Sequence, residues 1–197
     1  MKKLFSPGVI ILVIGILMGI TAWASYNRLV GLEEGVDASW SQVENVYQRR
    51  ADLVPNLVRT VEAARDFEQE TLQNLVEARA RVGQLLAIGA PTAQQLAAFQ
   101  ASQTELTGAL SRLLLVVERY PDLKATEAFR DLQRQLEGAE NRIAVERRRF
   151  NEASRQYNTS RRRFPANLMA DFMGFTEKAY FESDTGADKP PEINFSG

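Results

Sequence analysis

Side chains able to carry out acid–base or metal chemistry are scarce in this sequence, and this scarcity narrows the possible functions. The 197 residues include no histidine and no cysteine. Histidine is the usual general base near neutral pH, and imidazole and thiolate are the usual zinc ligands. A Ser-His-Asp triad, a conventional zinc site, a cysteine nucleophile and a disulfide are therefore excluded.

Two carboxylates are the remaining candidates for chemistry. Glu137 and Glu140 lie one helical turn apart and could form an acid–base or metal-binding pair. Carboxylate-bridged di-iron bundles, however, also need a Glu-x-x-His motif, which a chain without histidine lacks. We interpret both residues as surface glutamates. We expect no enzyme activity, no catalytic residue, no metal, no cofactor and no small-molecule substrate.

Arginine is concentrated near the C-terminal end of the chain. Eight arginines fall between Arg142 and Arg163, against the two acids Glu146 and Glu152. The first interpretation is a solvated helix face whose arginines pair with acids on neighbouring helices. The second is a membrane-surface contact, in which each basic residue gains about 1 kcal/mol near anionic lipid. Nucleic-acid binding is a distant third and is not expected, because the net charge is −1 and stacking platforms are lacking.

The elements that must position these residues begin with an apolar segment. Residues 4–27 carry no charge and are long enough to span a hydrocarbon core of about 30 Å. A cleaved signal peptide is the alternative, since residues 22–24 resemble a cleavage site. We interpret residues 1–26 as a transmembrane anchor and not as a cleaved signal peptide, because the helical pattern continues beyond residue 26. The anchor residues are Val9, Ile10, Leu12, Ile14, Leu17, Ile20, Trp23 and Tyr26.

The charges that flank the anchor predict its orientation. Lys2 and Lys3 precede it, whereas Arg28 follows and is soon accompanied by acids. The positive-inside rule then places the N-terminus in the cytoplasm. We predict a single-pass protein whose soluble domain lies outside the cytoplasm.

The rest of the chain has a helical pattern. Apolar residues recur at steps of three and four up to about residue 163, and no window alternates with period two. The predicted fold class is therefore all-α, with the transmembrane helix followed by an antiparallel four-helix bundle over 27–163. The predicted helices cover residues 27–51, 53–88, 92–120 and 122–163.

Proline and capping residues set these boundaries. Asp52 is the predicted cap of the second helix, with Pro55 in its first turn. Thr92 is a predicted N-cap, and Tyr120 before Pro121 ends the third helix. The first of these boundaries has an alternative, in which 27–88 is one long helix kinked at Pro55.

A short amphipathic helix is predicted over 164–182, followed by a flexible tail over 183–197. If the four helices alternate, the fourth ends at the membrane and this short helix can lie in the interface. The alternative is that the short helix packs across the bundle. If 27–88 were one kinked helix, the later helices would run in the opposite direction and the fourth helix would not end at the membrane. The possible lipid or partner surface comprises Arg161, Arg162, Arg163, Phe164, Phe172 and Phe175.

Several asparagines occupy helix interiors, which they do not favour. Either they form a buried polar network that fixes helix register, or they are exposed at small cost. They are Asn45, Asn56, Asn141, Asn151 and Asn158.

Runs of residues along most of the chain resemble the LemA family. The most specific is Gln48-Arg49-Arg50-Ala51-Asp52-Leu53-Val54-Pro55-Asn56-Leu57-Val58, and others are Tyr120-Pro121-Asp122-Leu123-Lys124-Ala125 and Glu137-x-x-Glu140-Asn141-Arg142-Ile143-Ala144. Trp40-Ser41-Gln42-Val43, Tyr157-Asn158 and Gly174-Phe175 also fit, whereas Ser39 and Phe150 depart from the usual alanine and tyrosine. The residues of the structural motif are Arg49, Arg50, Asp52, Pro55, Asn56, Tyr120, Pro121, Glu140, Asn141 and Arg142.

This resemblance implies a bacterial membrane protein with an antiparallel helical bundle and no enzyme activity. Relatives are associated with cell-envelope processes, and one branch with magnetosome membrane formation. We read the motif structurally: Asp52 and Pro55 organise the first junction, Tyr120 to Leu123 the third, and Asn141 with Arg142 ties helices together.

The function predicted from the sequence is a scaffold or adaptor at the bacterial inner membrane. It would act through protein–protein and lipid contacts and could self-assemble as a homo-oligomer. An accessory or regulatory subunit of a membrane enzyme, such as a protease, is the alternative. A membrane-tethered nucleic-acid binder is a distant alternative.

Overall fold

The computed structural model describes residues 7–63, 67–85 and 90–182, which fold into an all-α architecture. No strand occurs within these ranges, as the periodicity predicts. Five α-helices and one 3-10 turn follow one another in this part of the chain. They are α1 (Pro7–Glu62), α2 (Gln69–Leu85), α3 (Ala93–Val117), α4 (Pro121–Ala125), α5 (Glu127–Arg162) and the 3-10 turn Ala166–Leu168.

Helix α1 runs without interruption from the apolar segment into the bundle, over 56 residues. At 1.5 Å per residue its length is about 84 Å. The predicted boundary near 51–53 is wrong, because Asp52 lies inside α1 and caps no helix. One long helix over 27–88 is also wrong, because α1 ends at Glu62 and α2 begins at Gln69.

Helix α1 continues through Pro55 because a second helix supplies the missing hydrogen bond. Proline has no N–H, so Pro55 leaves the carbonyl of Ala51 without its helical donor. Nε of Arg79, on α2, donates to this carbonyl at 3.1 Å. Ala51 is buried, and an unpaired acceptor there would be costly. A tertiary contact therefore replaces the hydrogen bond that the local sequence cannot form.

The chain reverses direction at each junction, so α1, α2, α3 and α5 form an antiparallel bundle. At the far end, the rings of Phe67 and Tyr120 lie 5.1 Å apart. At the near end, the rings of Tyr26 and Phe175 lie 5.6 Å apart. The end of α5 therefore returns to the point where α1 leaves the apolar segment. The reversal after α1 lies beyond Pro55, and the predicted direction of the four helices is preserved.

Heptad spacing builds the core of the bundle. Buried residues recur at steps of three and four, so one stripe on each helix faces its neighbours. Helix α1 packs chiefly against α5, and α2 chiefly against α3. The stripe of α1 comprises Leu29, Val36, Trp40, Val43, Tyr47, Arg50, Val54, Leu57 and Val61.

Local capping signals begin the later helices. The Thr92 hydroxyl accepts a hydrogen bond from the Gln95 N–H at 3.3 Å, and the Gln95 side chain accepts one from the Thr92 N–H at 2.9 Å. This capping box confirms the predicted N-cap. Pro121 starts the short helix α4 directly after Tyr120. Thr126 caps α5 by accepting from the Phe129 N–H at 3.3 Å. The single helix predicted over 122–163 is therefore wrong, because Thr126 divides it into α4 and α5.

The segment after α5 contains far less helix than the amphipathic helix predicted over 164–182. The 3-10 turn is three residues long, and Gly174 has a positive φ of 80°, which favours glycine and ends the helical turns. Residues 175–182 belong to neither helix nor sheet, and we call them the strap. The predicted tail over 183–197 lies outside the described residues.

The contact between Arg79 and Ala51 can be tested with a double-mutant cycle. We expect Arg79→Met to lower the free energy of unfolding by about 1–3 kcal/mol, because it leaves a buried carbonyl unpaired. In a Pro55→Ala background the new N–H can pair with that carbonyl, so the same substitution should cost clearly less. Guanidinium unfolding of the full chain in detergent, followed by circular dichroism, measures both costs. Equal costs in the two backgrounds would contradict this account of α1.

Candidate functional site

A buried arginine joins three helices at mid-height in the bundle. Arg50 is 2% exposed and occupies a core position between Val43 and Leu57 in the heptad stripe of α1. Its Nη1 donates to Glu140 Oε1 on α5 at 2.6 Å and to Thr107 Oγ1 on α3 at 3.1 Å. Its Nη2 donates to the side-chain oxygen of Gln103, which is also buried on α3.

The Arg50 network is suited to holding helices together and poorly suited to chemistry. Glu140 neutralises the guanidinium, so the charge of Arg50 is already paired. A groove of about 390 Å³ runs beside the network, with Tyr47 and Gln100 among its lining residues. Glu137 is exposed and accepts from Gln133, on its own helix, at 3.2 Å. The two glutamates considered as an acid–base pair therefore have separate partners.

Arg50 and Gln103 are core residues that were not predicted, although their heptad spacing indicates burial. Arg50 follows Val43 by seven residues, and Gln103 lies between Phe99 and Leu106 in the stripe of α3. A polar residue at a position that the pattern reserves for the core indicates a buried network. Neither Asn141 nor Arg142 is buried, and the helix tie expected of them is made by Glu140.

The strap packs against a cluster of aromatic side chains in the membrane-proximal half of the bundle. We call this cluster, formed by Trp40, Phe99 and Phe150, the aromatic seat. Phe181 is buried, with its ring centroid 5.6 Å from that of Phe150 and 6.1 Å from that of Trp40. Trp40 also meets Phe99 of α3 at 5.4 Å. Phe175, at the other end of the strap, packs against Tyr26 of α1. The strap therefore completes the core that α1, α3 and α5 leave open.

Two asparagines of α5 form paired hydrogen bonds with the backbone of the strap, and we call this contact the asparagine grip. Asn158 Oδ1 accepts from the Lys178 N–H at 2.9 Å, and its Nδ2 donates to the Lys178 carbonyl at 2.8 Å. Asn151 binds Phe181 in the same way, at 2.8 and 3.0 Å. The two asparagines are two helical turns, or about 10.5 Å, apart, which three residues cover only when nearly extended. Each carboxamide acts as a neighbouring strand would, and the spacing sets the register of the strap.

Charged side chains complete the seat. Lys178 Nζ donates to Glu33 Oε1 of α1 at 2.5 Å and lies 5.4 Å from the ring centroid of Tyr157. Arg147 Nη2 donates to the Glu182 carbonyl, and Arg161 Nε to the Phe175 carbonyl, both at 2.8 Å. Burial, reinforced by the charge of Glu33, raises the pKa of Tyr157 to about 12. Its phenol therefore stays neutral at any physiological pH.

The arginine-rich part of α5 divides into two sets. Arg149 pairs with Glu146, and Arg155 with Glu152, so these pairs lie within α5 and reach no neighbouring helix. The partners of Arg147 and Arg161 lie in the segment after α5. The exposed arginines agree with the solvated face of the first interpretation, but the acids that pair with Arg149 and Arg155 lie on α5 itself and not on a neighbouring helix. Two of the eight arginines, Arg147 and Arg161, hold α5 and the strap together.

The residues predicted as a lipid or partner surface do not share one environment. Arg161 is partly buried and is tied to Asp171 and to the strap, whereas Arg162 and Arg163 are exposed. Phe175 is buried against α1, and Phe172 is 93% exposed, so they do not lie on one face. Phe164 is also exposed. The structure thus separates a structural part of this set from an exposed part.

The predicted anchor residues all lie on α1 and are exposed with respect to the rest of the protein. Within α1, an 18-residue window has a mean hydropathy of 2.2, and none of it is buried inside the protein. A core helix would bury its apolar face, so this helix qualifies by length and composition to cross a membrane. The Trp-Ala sequence at residues 23–24, part of the possible cleavage site, lies within the continuous helix.

The other residues of the structural motif lie in the membrane-distal half of α1 and at the membrane-distal end of the bundle. Arg49 is exposed, and Asp52 accepts from Gln48 at 3.0 Å. Asn56 accepts from Arg59 at 2.5 Å, so it too serves its own helix. At the membrane-distal end, Tyr120 and Pro121 line a groove of about 770 Å³. Among the described residues, no cluster of three or more carboxylates is placed to hold a metal ion.

An apolar helix that continues into an antiparallel bundle defines a class of protein: a membrane-associated, all-helical protein. The family model of the LemA family matches residues 39–195, which is most of the chain. The chain belongs to the LemA family.

Curated relatives extend this comparison. The chain is similar to the magnetosome proteins MamQ 1 and MamQ 2 of Paramagnetospirillum magneticum, each 28% identical over 184 residues. It is similar to the magnetosome protein MamQ of Magnetospirillum gryphiswaldense, with 26% identity over 187 residues. Each match covers 84% of this chain and 67% of the relative.

The burial of Arg50 can be tested against a matched surface pair. Glu140 and Glu105 are 43% and 44% exposed, but Glu140 pairs with buried Arg50, whereas Glu105 pairs with exposed Arg81. We expect Glu140→Ala to cost about 2 kcal/mol, because it leaves a buried guanidinium without its counter-charge. Glu105→Ala should cost less than about 1 kcal/mol. Denaturant unfolding of the two variants measures the difference, and similar costs would show that Arg50 does not depend on Glu140.

The asparagine grip can be tested by hydrogen exchange. Asn151→Ala and Asn158→Ala each remove one acceptor and one donor, so the Phe181 and Lys178 amides should exchange much faster than in the parent. Asn141→Ala is the control, because Asn141 is exposed on the same helix. Unchanged exchange at residues 178 and 181 would show that the aromatic seat alone holds the strap.

Proposed function

We propose that this chain is a non-catalytic scaffold or adaptor anchored in the bacterial inner membrane. The observation that carries the proposal is the unbroken path of α1 from its apolar segment into the bundle core. The part of α1 beyond residue 26 rises about 54 Å at 1.5 Å per residue. A rod of this kind holds a binding surface at a set distance and direction from the end of the span.

Packing at the base of α1 supports rigid presentation. Leu29 and Val36, in the first soluble turns of α1, are buried. The strap adds the Glu33–Lys178 ion pair and the contact between Tyr26 and Phe175. The span and the bundle are therefore joined by one helix and by side-chain contacts on both sides of the junction. Family membership and the similarity to magnetosome proteins support a membrane-associated role.

The chemistry of the described residues supports a binding role over a catalytic one. The chain has no histidine or cysteine, and the Arg50–Glu140 pair is internally neutralised. We propose one or more protein partners, or further copies of this chain, as the ligands of the bundle. The flanking charges favour a domain outside the cytoplasm.

The mass of the complex extracted gently from its own membranes tests this proposal. A scaffold should yield a homogeneous particle larger than one chain, containing either further copies or a defined partner. A co-purified membrane enzyme would assign the chain as its accessory subunit. A monodisperse single chain with no partner would contradict the scaffold proposal, and turnover by the isolated chain would contradict a non-catalytic role.

A coupling variant tests whether rigidity matters. Insertion of Gly-Ser-Gly between Asn27 and Arg28 should break the helical connection and leave the bundle folded. We expect the complex to be lost or much reduced, although the unfolding midpoint of the bundle changes little. Substitution of exposed Arg49 by glutamine is the control and should leave the complex intact. A full-sized complex from the insertion variant would show that rigid presentation is not required.

A further inference from the structure

The base of the bundle carries apolar side chains that the bundle does not use. Phe164, Leu168 and Phe172 are exposed, and we call them the basal patch. Ala166 and Ala170, which lie between these residues in the sequence, are buried against the core. The backbone of this segment therefore packs on the bundle, while the three larger side chains face outward. Exposed apolar residues grouped in this way mark an interaction surface.

The position of the basal patch in the fold indicates what covers it. Phe175, three residues after Phe172, packs against Tyr26 of α1. Tyr26 stands at the end of the uncharged stretch, where the span leaves the hydrocarbon. The 3-10 turn that carries Leu168 also contacts α1. The basal patch therefore lies beside the end of the apolar segment of α1, which is the level of the headgroup region when α1 spans the bilayer. Aromatic side chains are favoured at that depth.

The charges around the patch do not make it a strongly basic surface. Arg162 and Arg163 are exposed near Phe164, but Arg161 is engaged by the strap and by Asp171. Asp171 is itself exposed beside Phe172. Only two exposed basic residues are placed to attract anionic lipid there, so burial of three large apolar side chains is the larger contribution.

We propose that the basal patch inserts into the interface of the same bilayer that α1 crosses. The occupant is the boundary between lipid headgroups and acyl chains, and the contact is apolar. This inference rests on the membrane anchoring in the proposed function and adds a second contact beside the span. One helix alone leaves the bundle free to tilt and rotate, whereas a span and an adjacent inserted patch fix both motions.

Spin labels on single cysteines test the proposal in the full chain, because the sequence contains no cysteine. The variants are Ile14→Cys in the span, Leu168→Cys and Phe172→Cys in the patch, and Leu115→Cys near the membrane-distal end of α3. Leu115 is 72% exposed and is the matched apolar control. Each variant is reconstituted in phospholipid nanodiscs with one chain per disc. Collisions with oxygen and with a water-soluble nickel complex then report depth.

We expect the label at residue 14 to be in the hydrocarbon, those at 168 and 172 in the interface, and that at 115 in water. Labels at 168 and 172 that are as accessible to nickel as that at 115 would overturn the inference and leave the anchor intact. A nickel-accessible label at 14 would overturn the anchor and the inference together. The two failures are therefore distinguishable.

Two further measurements separate lipid insertion from other contacts. Arg162→Gln with Arg163→Gln, and high salt, should leave the depth of the 172 label unchanged; a shift of that label into water would overturn the apolar basis. Discs loaded with several chains should give the same depth as discs with one chain. Protection that appears only in crowded discs would assign the patch to a second copy of this chain and overturn insertion into lipid.

Discussion

Helix α1 passes from an apolar segment suited to lipid into the bundle core, and its backbone groups must be hydrogen-bonded in both environments. In hydrocarbon no other donor or acceptor is at hand, so the spanning part admits no break. In the bundle the helix meets Pro55 and continues, because Arg79 of α2 pairs with the freed Ala51 carbonyl. The direction in which α1 leaves the bilayer therefore sets the axis against which α5 and the strap pack.

Buried polar groups then determine how the helices align. The heptad stripe of α1 is apolar above and below Arg50, so a shift of seven residues would keep most apolar contacts. It would also place Arg50 against an apolar layer, away from Gln103 and Glu140. A buried ion pair contributes little net stability, but an unpaired buried charge is strongly destabilising. We interpret the network as a device for register, in the sense that it penalises misaligned packings.

The sequence predicts most of the bundle, because its main signals are local. Periodic apolar residues, the Thr92 N-cap and the break at Tyr120-Pro121 are read from neighbouring positions, and each is confirmed. The two main errors concern contacts that are distant in sequence. Pro55 is tolerated because of Arg79, and residues 175–182 do not continue the short helix predicted over 164–182 because Asn151 and Asn158 hold them extended. Helix propensity cannot show which distant groups will supply a hydrogen bond.

The candidate site is less predictable than the fold for the same reason. All arginines of this part of α5 look equivalent in the sequence. Arg147 and Arg161 nevertheless bind strap carbonyls, whereas Arg162 and Arg163 face solvent. Their difference follows from where the strap lies, and the strap position depends on two asparagine side chains. Once the strap is seated, Phe175 is drawn into the core and Phe172 is left outside. The same few hydrogen bonds that close the core thus also decide which side chains remain available at the base of the bundle.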